Sequence, residues 1–437
     1  MNKKKIFNDP LYGFISIPYD LIFDLIEHPY FQRLRRIGQL SLTHYVYPGA
    51  HHTRFHHALG AMHLTTKAIE VLRAKGTEIT NEEAEAVTAA ILLHDIGHGP
   101  FSHTLEHTLI PVHHETLTLA LMRRMNTEFD GKLTLAIEIF ENRYSKAFLH
   151  QLVSGQLDMD RMDYLNRDSY YTGVHEGVVS HDRIIQMLAV VGGELVVEEK
   201  GIYSVEKFLV ARRLMYWQVY LHKTVVCAEQ MLIQAIKVAR RLVETGEEVG
   251  VTQSLQRLLS LGVALGTEFD NVSSADVDTF ASTNVSDDFL DLFADLDDTD
   301  IYAALKTWAK HPHPVLRFLS NSILERKLFK VEWQHTSFEA HRAEELAKKV
   351  QQKLLNTFAT EKGYEYLSTP TTGEKGWTQY LVFEKTEINR TYQVGKDEIK
   401  ILHKNGYISP MSETFDYMLS AKTTSKYFLF YPKRIHL

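Results

Sequence analysis

Cysteine is nearly missing from this chain: Cys227 is the one thiol in 437 residues. An internal disulfide is therefore impossible, and a thiolate zinc centre is excluded. No apolar run is long enough to span a bilayer. The first residues, Met1-Asn2-Lys3-Lys4-Lys5, are basic but lead into Ile6-Phe7-Asn8-Asp9-Pro10 without the apolar stretch of an export signal. These absences point to a reduced, cytoplasmic setting. An excess of basic charge is also lacking: the net charge is −7 and the isoelectric point is near 6.4, so any polyanion site must be a local pocket. Nucleic-acid binding remains open only as a local groove and is not indicated by composition. The chain has no Gly-x-x-x-x-Gly-Lys-Ser/Thr loop, no Gly-x-Gly-x-x-Gly and no Gly-x-Ser-x-Gly elbow, which argues against a P-loop NTPase, a Rossmann dehydrogenase and a serine hydrolase. The zinc-protease pattern His-Glu-x-x-His is missing too, because His114-Glu115 runs on into Thr116, Leu117 and Thr118. No internal repeat or low-complexity segment occurs.

Histidine is what the chain has in quantity, 23 in all, clustered between His51 and His114, and that is where metal and proton-transfer chemistry is sought. The chain is organised around His94-Asp95-Ile96-Gly97-His98-Gly99-Pro100-Phe101-Ser102-His103, which follows the apolar run Ala86 to Leu93. A buried helix ending in His and Asp is unusual, because both groups resist burial unless something pairs with them. A metal ion is one partner; the helix's own dipole and last carbonyls are another. Gly97, Gly99 and Pro100 end the helix and leave backbone near the site.

Apolar spacing predicts a helix over 20–40, whose Arg33, Arg35 and Arg36 read as a solvated face, and a second helix carrying Thr53 to His63. A third begins near Thr80-Asn81-Glu82-Glu83, another opens at His113-His114-Glu115, and 132–153 is amphipathic. The stretch Gly192 to Ser204 reads as a small β-hairpin, followed by one long helix over about 205–245. Residues 270–300 are acidic and predict capped short helices and exposed loops. A charged helix over about 338–358 precedes alternating runs such as Tyr380-Leu381-Val382-Phe383-Glu384 and Tyr427-Phe428-Leu429-Phe430-Tyr431. The expected fold is mainly α: a helical domain over 1–330 with the hairpin, and a C-terminal α+β lobe over 331–437.

Candidate ligands fall on separate predicted helices: His57, then His94 and Asp95, then Asp160. This mixed nitrogen and oxygen set suits a divalent ion with open positions, such as Mn, Fe, Mg, Zn or Ni. His98, His103 and His114 are spare acid–base groups that Glu115 can orient, though a structural role fits each equally well. Asp160, Tyr164 and Asp168 are spaced by four and form one helical stripe. Arg212, Tyr216, Tyr220 and Lys223 share a narrow sector of the later helix by the same arithmetic. Cations and tyrosines so arranged suit a triphosphate with a stacked sugar or base, or else a partly exposed helix face.

Longer strings carry a family resemblance. Phe7-Asn8-Asp9-Pro10, Phe31-Gln32-Arg33-Leu34-Arg35, Tyr47-Pro48-Gly49-Ala50, Arg54-Phe55-x-His57, His94-Asp95-x-Gly97-His98-Gly99-Pro100-Phe101-Ser102-His103, and Asp160-Arg161-Met162-Asp163-Tyr164 with Arg167-Asp168 resemble the HD-domain deoxynucleoside triphosphate triphosphohydrolases. The likeness is greatest to the HD part of the vertebrate SAM-and-HD-domain enzyme and its bacterial relatives. It implies an all-helical HD-domain core and a metal held by His57, His94, Asp95 and Asp160. It implies His98 as proton donor to the leaving oxygen, supported by His114 and Glu115, with His103 at the α-phosphate. Arg54, Arg161, Arg212 and Lys223 would hold the phosphates, and Gln39, Tyr164 and Asp168 the sugar. Tyr220 would pack on the C2′ edge and exclude a ribose hydroxyl. Arg161 stands where the vertebrate enzyme has lysine, and a planar fork is not a point charge. The family also forms nucleotide-activated homo-oligomers, dimers or tetramers. Gln32, Arg35, Arg326 and Lys330 match that regulatory site, while Glu27 replaces an aspartate that reads guanine.

The implied reaction releases deoxynucleoside and inorganic triphosphate from a deoxynucleoside triphosphate. A phosphomonoesterase or phosphodiesterase on the same metal site is a rival reading, against which the phosphate-holding stripe argues. A nucleotide- or nucleic-acid-binding regulator is another, against which the full ligand set argues.

Overall fold

The computed structural model describes residues 5–110, 112–264, 285–358, 376–389, 395, 397–414 and 424–433. The first helical stretch is two elements, α1 (Asp20–Glu27) and α2 (Pro29–Arg33), rather than the single helix expected over 20–40. Pro29 is the cause: the residue before it, His28, is driven out of the helical region to φ −66°, ψ 138°. Arg33 is not on a solvated face. It is buried, donates to the carbonyls of Leu296 (2.7 Å) and Ile96 (3.3 Å), and lies over the Phe293 ring.

The centre of the molecule is α3 (Arg54–Ala74) packed on α4 (Asn81–Leu93) and on α9 (Met159–Thr172). α4 starts where the sequence signals it: Thr80 and Glu83 form a capping box, with each side chain accepting from the other's backbone N–H. Every residue from Ala86 to Leu93 is buried. Each buried Leu or Ile contributes on the order of 1.5–3 kcal/mol, which anchors the end of α4 where His94 and Asp95 stand. α9 is capped by Asp158, which accepts from Arg161 N at 2.7 Å, and it stops at Gly173 in the left-handed region (φ 75°). Around this centre lie α5 (Glu106–Leu109), α6 (His114–Glu128), α7 (Thr134–Phe140), α8 (Ala147–Val153), α10 (His181–Gln186), α11 (Ile202–Met215), α12 (Lys223–Glu244) and α13 (Gln253–Ala264).

Two expectations need correction here. The hairpin is β3 (Leu188–Val191) and β4 (Glu194–Glu198), with Gly192-Gly193 as its turn; Lys200-Gly201 leads into α11 instead of closing a second strand. Both turn glycines have positive φ, 62° and 82°, which is why the turn sits there. The long helix expected over 205–245 is broken. After α11 comes a π-turn, Tyr216–Tyr220, closed by Leu221 N to Tyr216 O at 2.8 Å, and α12 restarts with His222 as its cap.

Part of the acidic 270–300 stretch, 270–284, lies outside the described residues; the remainder enters the expected capped helices, Asp287–Ala294 and Asp298–Trp308, capped by Ser286 and Asp297. The N-terminal arm is a hairpin, β1 (Ile6–Asp9) with β2 (Gly13–Ser16). Late in the chain, β5 (Lys330–Gln334), β6 (Phe383–Asn389) and β9 (Thr424–Tyr431) form an antiparallel sheet in the order β5-β9-β6, with the expected helix Ala340–Phe358 between β5 and β6 in the chain. Strands β7 (Lys400–Leu402) and β8 (Ile408–Pro410) extend the β3-β4 hairpin, with β4 and β7 parallel. The fold is thus mainly helical with small sheets. Among the described residues no helix is long and apolar enough to cross a membrane.

Where α3 crosses α9, the contact is closed by Gly60. A Cβ there would collide with the carboxylate of Asp163 and the guanidinium of Arg167. Those groups are fully buried and mutually bonded: Arg167 donates twice to Asp163, at 2.9 Å and 2.9 Å, and once to Asp9 at 2.8 Å. Replacing Gly by Ala inside a helix ordinarily stabilises by about 1 kcal/mol, whereas splitting a buried ion pair costs about 3–5 kcal/mol. Gly60→Ala is therefore expected to lower stability by roughly 3 kcal/mol in urea unfolding. An unchanged or raised midpoint would show that α3 and α9 can part without harming the pair.

Candidate metal centre and active-site cavity

Two imidazoles are aimed by the hydrogen bonds on their far nitrogens. His57, on α3, binds Asp163 Oδ2 through Nδ1 at 2.8 Å; His94, just past α4, binds the Ile91 carbonyl through Nδ1 at 2.6 Å. Each Nε2 is thereby left with its lone pair facing inward. The two Nε2 atoms are 3.4 Å apart and the rings are inclined at 75°, so the lone pairs converge. Asp160, in the first turn of α9, brings Oδ1 to 3.0 Å from His57 Nε2 and 3.5 Å from His94 Nε2. Asp95 adds Oδ1 at 3.3 Å from His94 Nε2 and Oδ2 at 3.7 Å from His57 Nε2. His57, His94 and Asp160 bring their ligand atoms within 4.8 Å of one another, and Asp95 flanks them, one oxygen toward each imidazole.

The electrostatics fit a cation there. Burial alone would strip His57 of a proton, yet Asp160 and Asp163 outweigh it and push the ring up to about 10; His94 rises in the same sense through Asp95 and Asp160. Asp95 and Asp160 are held well below the usual carboxylate range against the effect of burial, chiefly by His94 and Arg54 for the former and by His57 and His94 for the latter. The carboxylates call for positive charge at the two Nε2 atoms. A divalent ion on neutral imidazoles satisfies the same demand, and the His₂Asp₂ donor set suits one.

Next to it is a second histidine group, His98, His103 and His114. The His98 and His114 rings are stacked, with centroids 3.9 Å apart and planes at 16°, so their in-plane lone pairs run side by side and do not converge. The stacking fixes the position of both rings. Glu106 organises the group. Its carboxylate takes His114 Nδ1 at 2.6 Å and His103 Nδ1 at 2.9 Å, and both bonds hold it far below the ordinary range despite burial. The orienting role expected of Glu115 thus falls to Glu106. Glu115 lines the cavity but is exposed, with no bond to an imidazole among the described residues. The signal was present as His103 and Glu106 at a spacing of three. Burial and the neighbouring Arg54 push His98 well below the usual imidazole value.

The loop between the two groups is tightly held. Gly97 lies against the start of α6, where a Cβ would collide with the His114 carbonyl and Thr118. Phe101 and Ser102 adopt left-handed φ values of 56° and 50°, a strained choice for side-chain-bearing residues. Asp298 secures the turn by accepting from Phe101 N at 2.7 Å and from Gly38 N at 2.8 Å.

A cavity of about 830 Å³ opens from the metal centre. Gln39, Arg54, His94, Asp95, His98, His103, His114 and Glu115 line one part, and Asp160, Tyr164, Asp168, Arg212, Tyr216 and Tyr220 another. His57 lies buried behind. Arg54 is pinned by an ion pair to Asp95 and by Nε donating to Ser102 Oγ at 2.7 Å. Asp168 accepts from Tyr220 OH at 2.7 Å and pairs with buried His52 at 2.8 Å, a positioning residue that sequence reasoning missed. Burial pushes the Tyr164 hydroxyl up to about 12, so it acts as a donor. Arg161 and Lys223 are not in the wall. The Arg161 guanidinium is held by Asp158. Lys223 leaves the Arg212 sector because the π-turn and the restart at His222 reset the helical phase, and it is exposed. Glu229, Lys385 and Glu387 also line the cavity, the last two from β6. No sequence pattern pointed to them.

The residues matched to a regulatory site lie elsewhere. Glu27 is exposed at the end of α1. Gln32 accepts from Arg35 Nε at 2.8 Å, and Arg35 covers the Phe55 ring. Arg326 donates to the Tyr45 carbonyl at 2.8 Å, and Lys330 opens β5 beside Glu332. No hydrogen bond or ion pair among the described residues joins the first three to the last two.

Comparison with known proteins agrees with this geometry. The HD domain family matches residues 54–168, and the HD associated region matches 179–257. The uncharacterized protein YwfO of Bacillus subtilis is 35% identical over 256 residues, covering 56% of this chain and 58% of its own length. The deoxynucleoside triphosphate triphosphohydrolase SAMHD1 homolog of Dictyostelium discoideum is 30% identical over 280 residues, 58% of this chain and 54% of its own. The chain thus spans little more than half the length of these curated relatives. The crystal structure of a phosphohydrolase from Bacteroides thetaiotaomicron superposes with a TM-score of 0.86 at 45% identity, over 98% of this chain and 99% of that one. On the convergent His₂Asp₂ set, the family match and this full-length likeness, the chain belongs to the HD-domain phosphohydrolases.

Proposed function

We propose that the protein hydrolyses deoxynucleoside triphosphates to deoxynucleoside and inorganic triphosphate. The observation that carries this reading is that one cavity is lined by His94, Asp95 and Asp160 of the metal centre, by Arg54 and Arg212, and by Tyr164, Asp168 and Tyr220. Such a set of groups suits phosphates and a sugar held beside the metal. A bound divalent ion supplies Lewis acidity and charge neutralisation at the α-phosphate. Arg54 and Arg212 add positive charge beside it. Water attacks the α-phosphorus in line and loses its proton to solvent, the bond to the 5′ oxygen breaks, and His98, neutral in the free site and charged as the negative phosphates enter, gives that oxygen its proton. His114, stacked on His98 and held by Glu106, fixes the position of the donor ring. Asp168 and Gln39 are placed for the sugar hydroxyl, and Tyr220, tied to Asp168, for the C2′ edge, where a ribose hydroxyl would collide. The relative named as a deoxynucleoside triphosphate triphosphohydrolase supports the same reading.

In this reading the protein works in the cytoplasm as a homo-oligomer. Activation by a second nucleotide at Glu27, Gln32, Arg35, Arg326 and Lys330 belongs to the same proposal. Activity that is independent of nucleotide pairing and of assembly would remove that part alone.

The direct test is a product assay on metal-replete protein with each dNTP and NTP, alone and in pairs. Deoxynucleoside plus triphosphate is expected; monophosphate or orthophosphate would replace the proposal with a phosphodiesterase or phosphatase. Asp95→Ala and Asp160→Ala should each abolish turnover and bound metal, measured by elemental analysis, while the far-ultraviolet spectrum stays folded. Full activity in either variant would dismiss this centre. Glu106→Gln should lower kcat by about 10- to 100-fold, the usual cost of losing an orienting carboxylate, with metal content intact and a smaller change in KM. Glu115→Gln should do much less, and the reverse ranking would return the orienting role to Glu115.

A further inference from the structure

The carboxylate that holds His103 and His114 is approached by two more imidazoles, which the reaction does not use. One ligand atom each from Glu106, His107 and His113 lie within 4.8 Å of one another. His113 Nδ1 is 4.0 Å from Glu106 Oε1, and the His107 and His113 rings meet edge to face, with centroids 4.7 Å apart and planes at 87°. Crossed rings can turn one lone pair each to a shared point, which the parallel His98 and His114 rings cannot. Both imidazoles are exposed, so an ion reaches them from solvent, while Glu106 is partly buried. The backbone that carries them is fixed. Leu105, Leu109, Ile110 and Val112 are buried, Arg240 donates to the Thr108 carbonyl and to that of Leu109 at 3.4 Å, and His114 N donates to Glu106 Oε1 at 2.9 Å.

We propose that Glu106, His107 and His113 form a second, solvent-facing metal site for a zinc-class ion, and that its occupation slows the reaction by drawing Glu106 away from His114. The binding stands by itself; its effect on turnover rests on the reading of His98 as proton donor above. Two imidazole nitrogens and one carboxylate oxygen suit zinc, with water as the fourth ligand, whereas magnesium and calcium take oxygen donors. Tetrahedral zinc holds its ligand atoms about 3.3 Å apart. The three atoms therefore close by no more than about 1.5 Å, which exposed side chains supply. Oε1, the oxygen facing His113, already accepts from His114 N at 2.9 Å and from His114 Nδ1 at 2.6 Å, so both of its lone pairs are engaged. An ion that ties this oxygen to His113 takes one of those places. His114 then loses a bond that holds it against His98.

The experiment compares the full wild-type chain with His107→Ala and His113→Ala. The His113 side chain makes no capping bond to α6, so its removal leaves the start of that helix intact. Bound zinc is counted by elemental analysis after equilibrium dialysis, which needs no turnover. Each variant should hold one equivalent per chain less than the wild type, and the same difference should appear when the variants are made in Asp95→Ala. In parallel, kcat and KM for a dNTP are measured on manganese-loaded protein with and without added zinc. Zinc should lower the wild-type kcat by about 10- to 100-fold, the cost of losing an orienting carboxylate, with a smaller change in KM. Both variants should match the wild type without zinc and escape the inhibition. Equal zinc content in all three proteins would overturn the site. Zinc lost from the variants while their inhibition persists would place the inhibition at the His57 centre and overturn the coupling, as would a wild type that binds the extra zinc and keeps its kcat. No hydrolysis of any dNTP, with the zinc difference intact, would sink the deoxynucleotide reading and leave the metal site standing.

Discussion

Asp163 is a carboxylate with no water to solvate it, and the architecture of the site follows from how its demand is met. Arg167 occupies both of its oxygens and His57 Nδ1 one of them, all fully buried. Burial would raise Asp163, but the guanidinium and the imidazole bring it down to about 2. An ion pair this deep adds little to net stability, because desolvation takes back most of its Coulomb energy. What it supplies is direction. With His57 Nδ1 committed to Asp163, only Nε2 can face Asp160 and His94, and a helix crossing has become a ligand orientation. Asp9 completes the shell from the N-terminal hairpin, so the first strand, α3 and α9 are fixed relative to one another by one guanidinium.

The same logic extends outward. His94 is oriented by a carbonyl of its own helix, His103 and His114 by Glu106, and Tyr220 by Asp168 with His52 behind it. In each case a polar group behind the functional one decides which atom is presented. The strained Phe101–Ser102 turn is held by Asp298, and Arg33 clasps the Ile96 carbonyl from the other side. Residues far apart in the chain thus keep the short His94–His103 segment in one conformation. That rigidity lets His98 sit stacked on His114 while remaining 3.4 Å from Asp95.

The cluster of His57, His94, Asp95 and Asp160 was legible in the sequence because each sits at a helix end or on a helix with strong local signals, and residue type restricts what such positions can do. The stripe Asp160, Tyr164 and Asp168 was legible for the same reason: α9 is one uninterrupted helix. The stripe through Lys223 failed because helical arithmetic assumes constant phase, and a π-turn breaks phase without leaving a mark that apolar spacing reports. Arg33 was misread because its partners are carbonyls at Ile96 and Leu296, and backbone acceptors have no sequence signature. Asp163 and Arg167 were visible as letters in a motif, but their purpose depends on Gly60 and Asp9, brought close only by the fold. Lys385 and Glu387 lay beyond reach altogether, since a strand from the last part of the chain touches the cavity through tertiary packing alone.

That last contact separates two sets of elements. The groups suited to the phosphates and the proton come from α3, α4, α6, α9 and the loop after α4, elements locked by buried ion pairs and strained turns. Glu229, Lys385 and Glu387 come from α12 and β6, after the break at Tyr216–Tyr220. These elements are separate from those that hold the Asp163–Arg167 pair and with it the ligand geometry. The π-turn carries Tyr216 and Tyr220, whose rings are 6.2 Å apart in the same cavity, and it resets the phase of the helix that follows, which is why Lys223 leaves their sector.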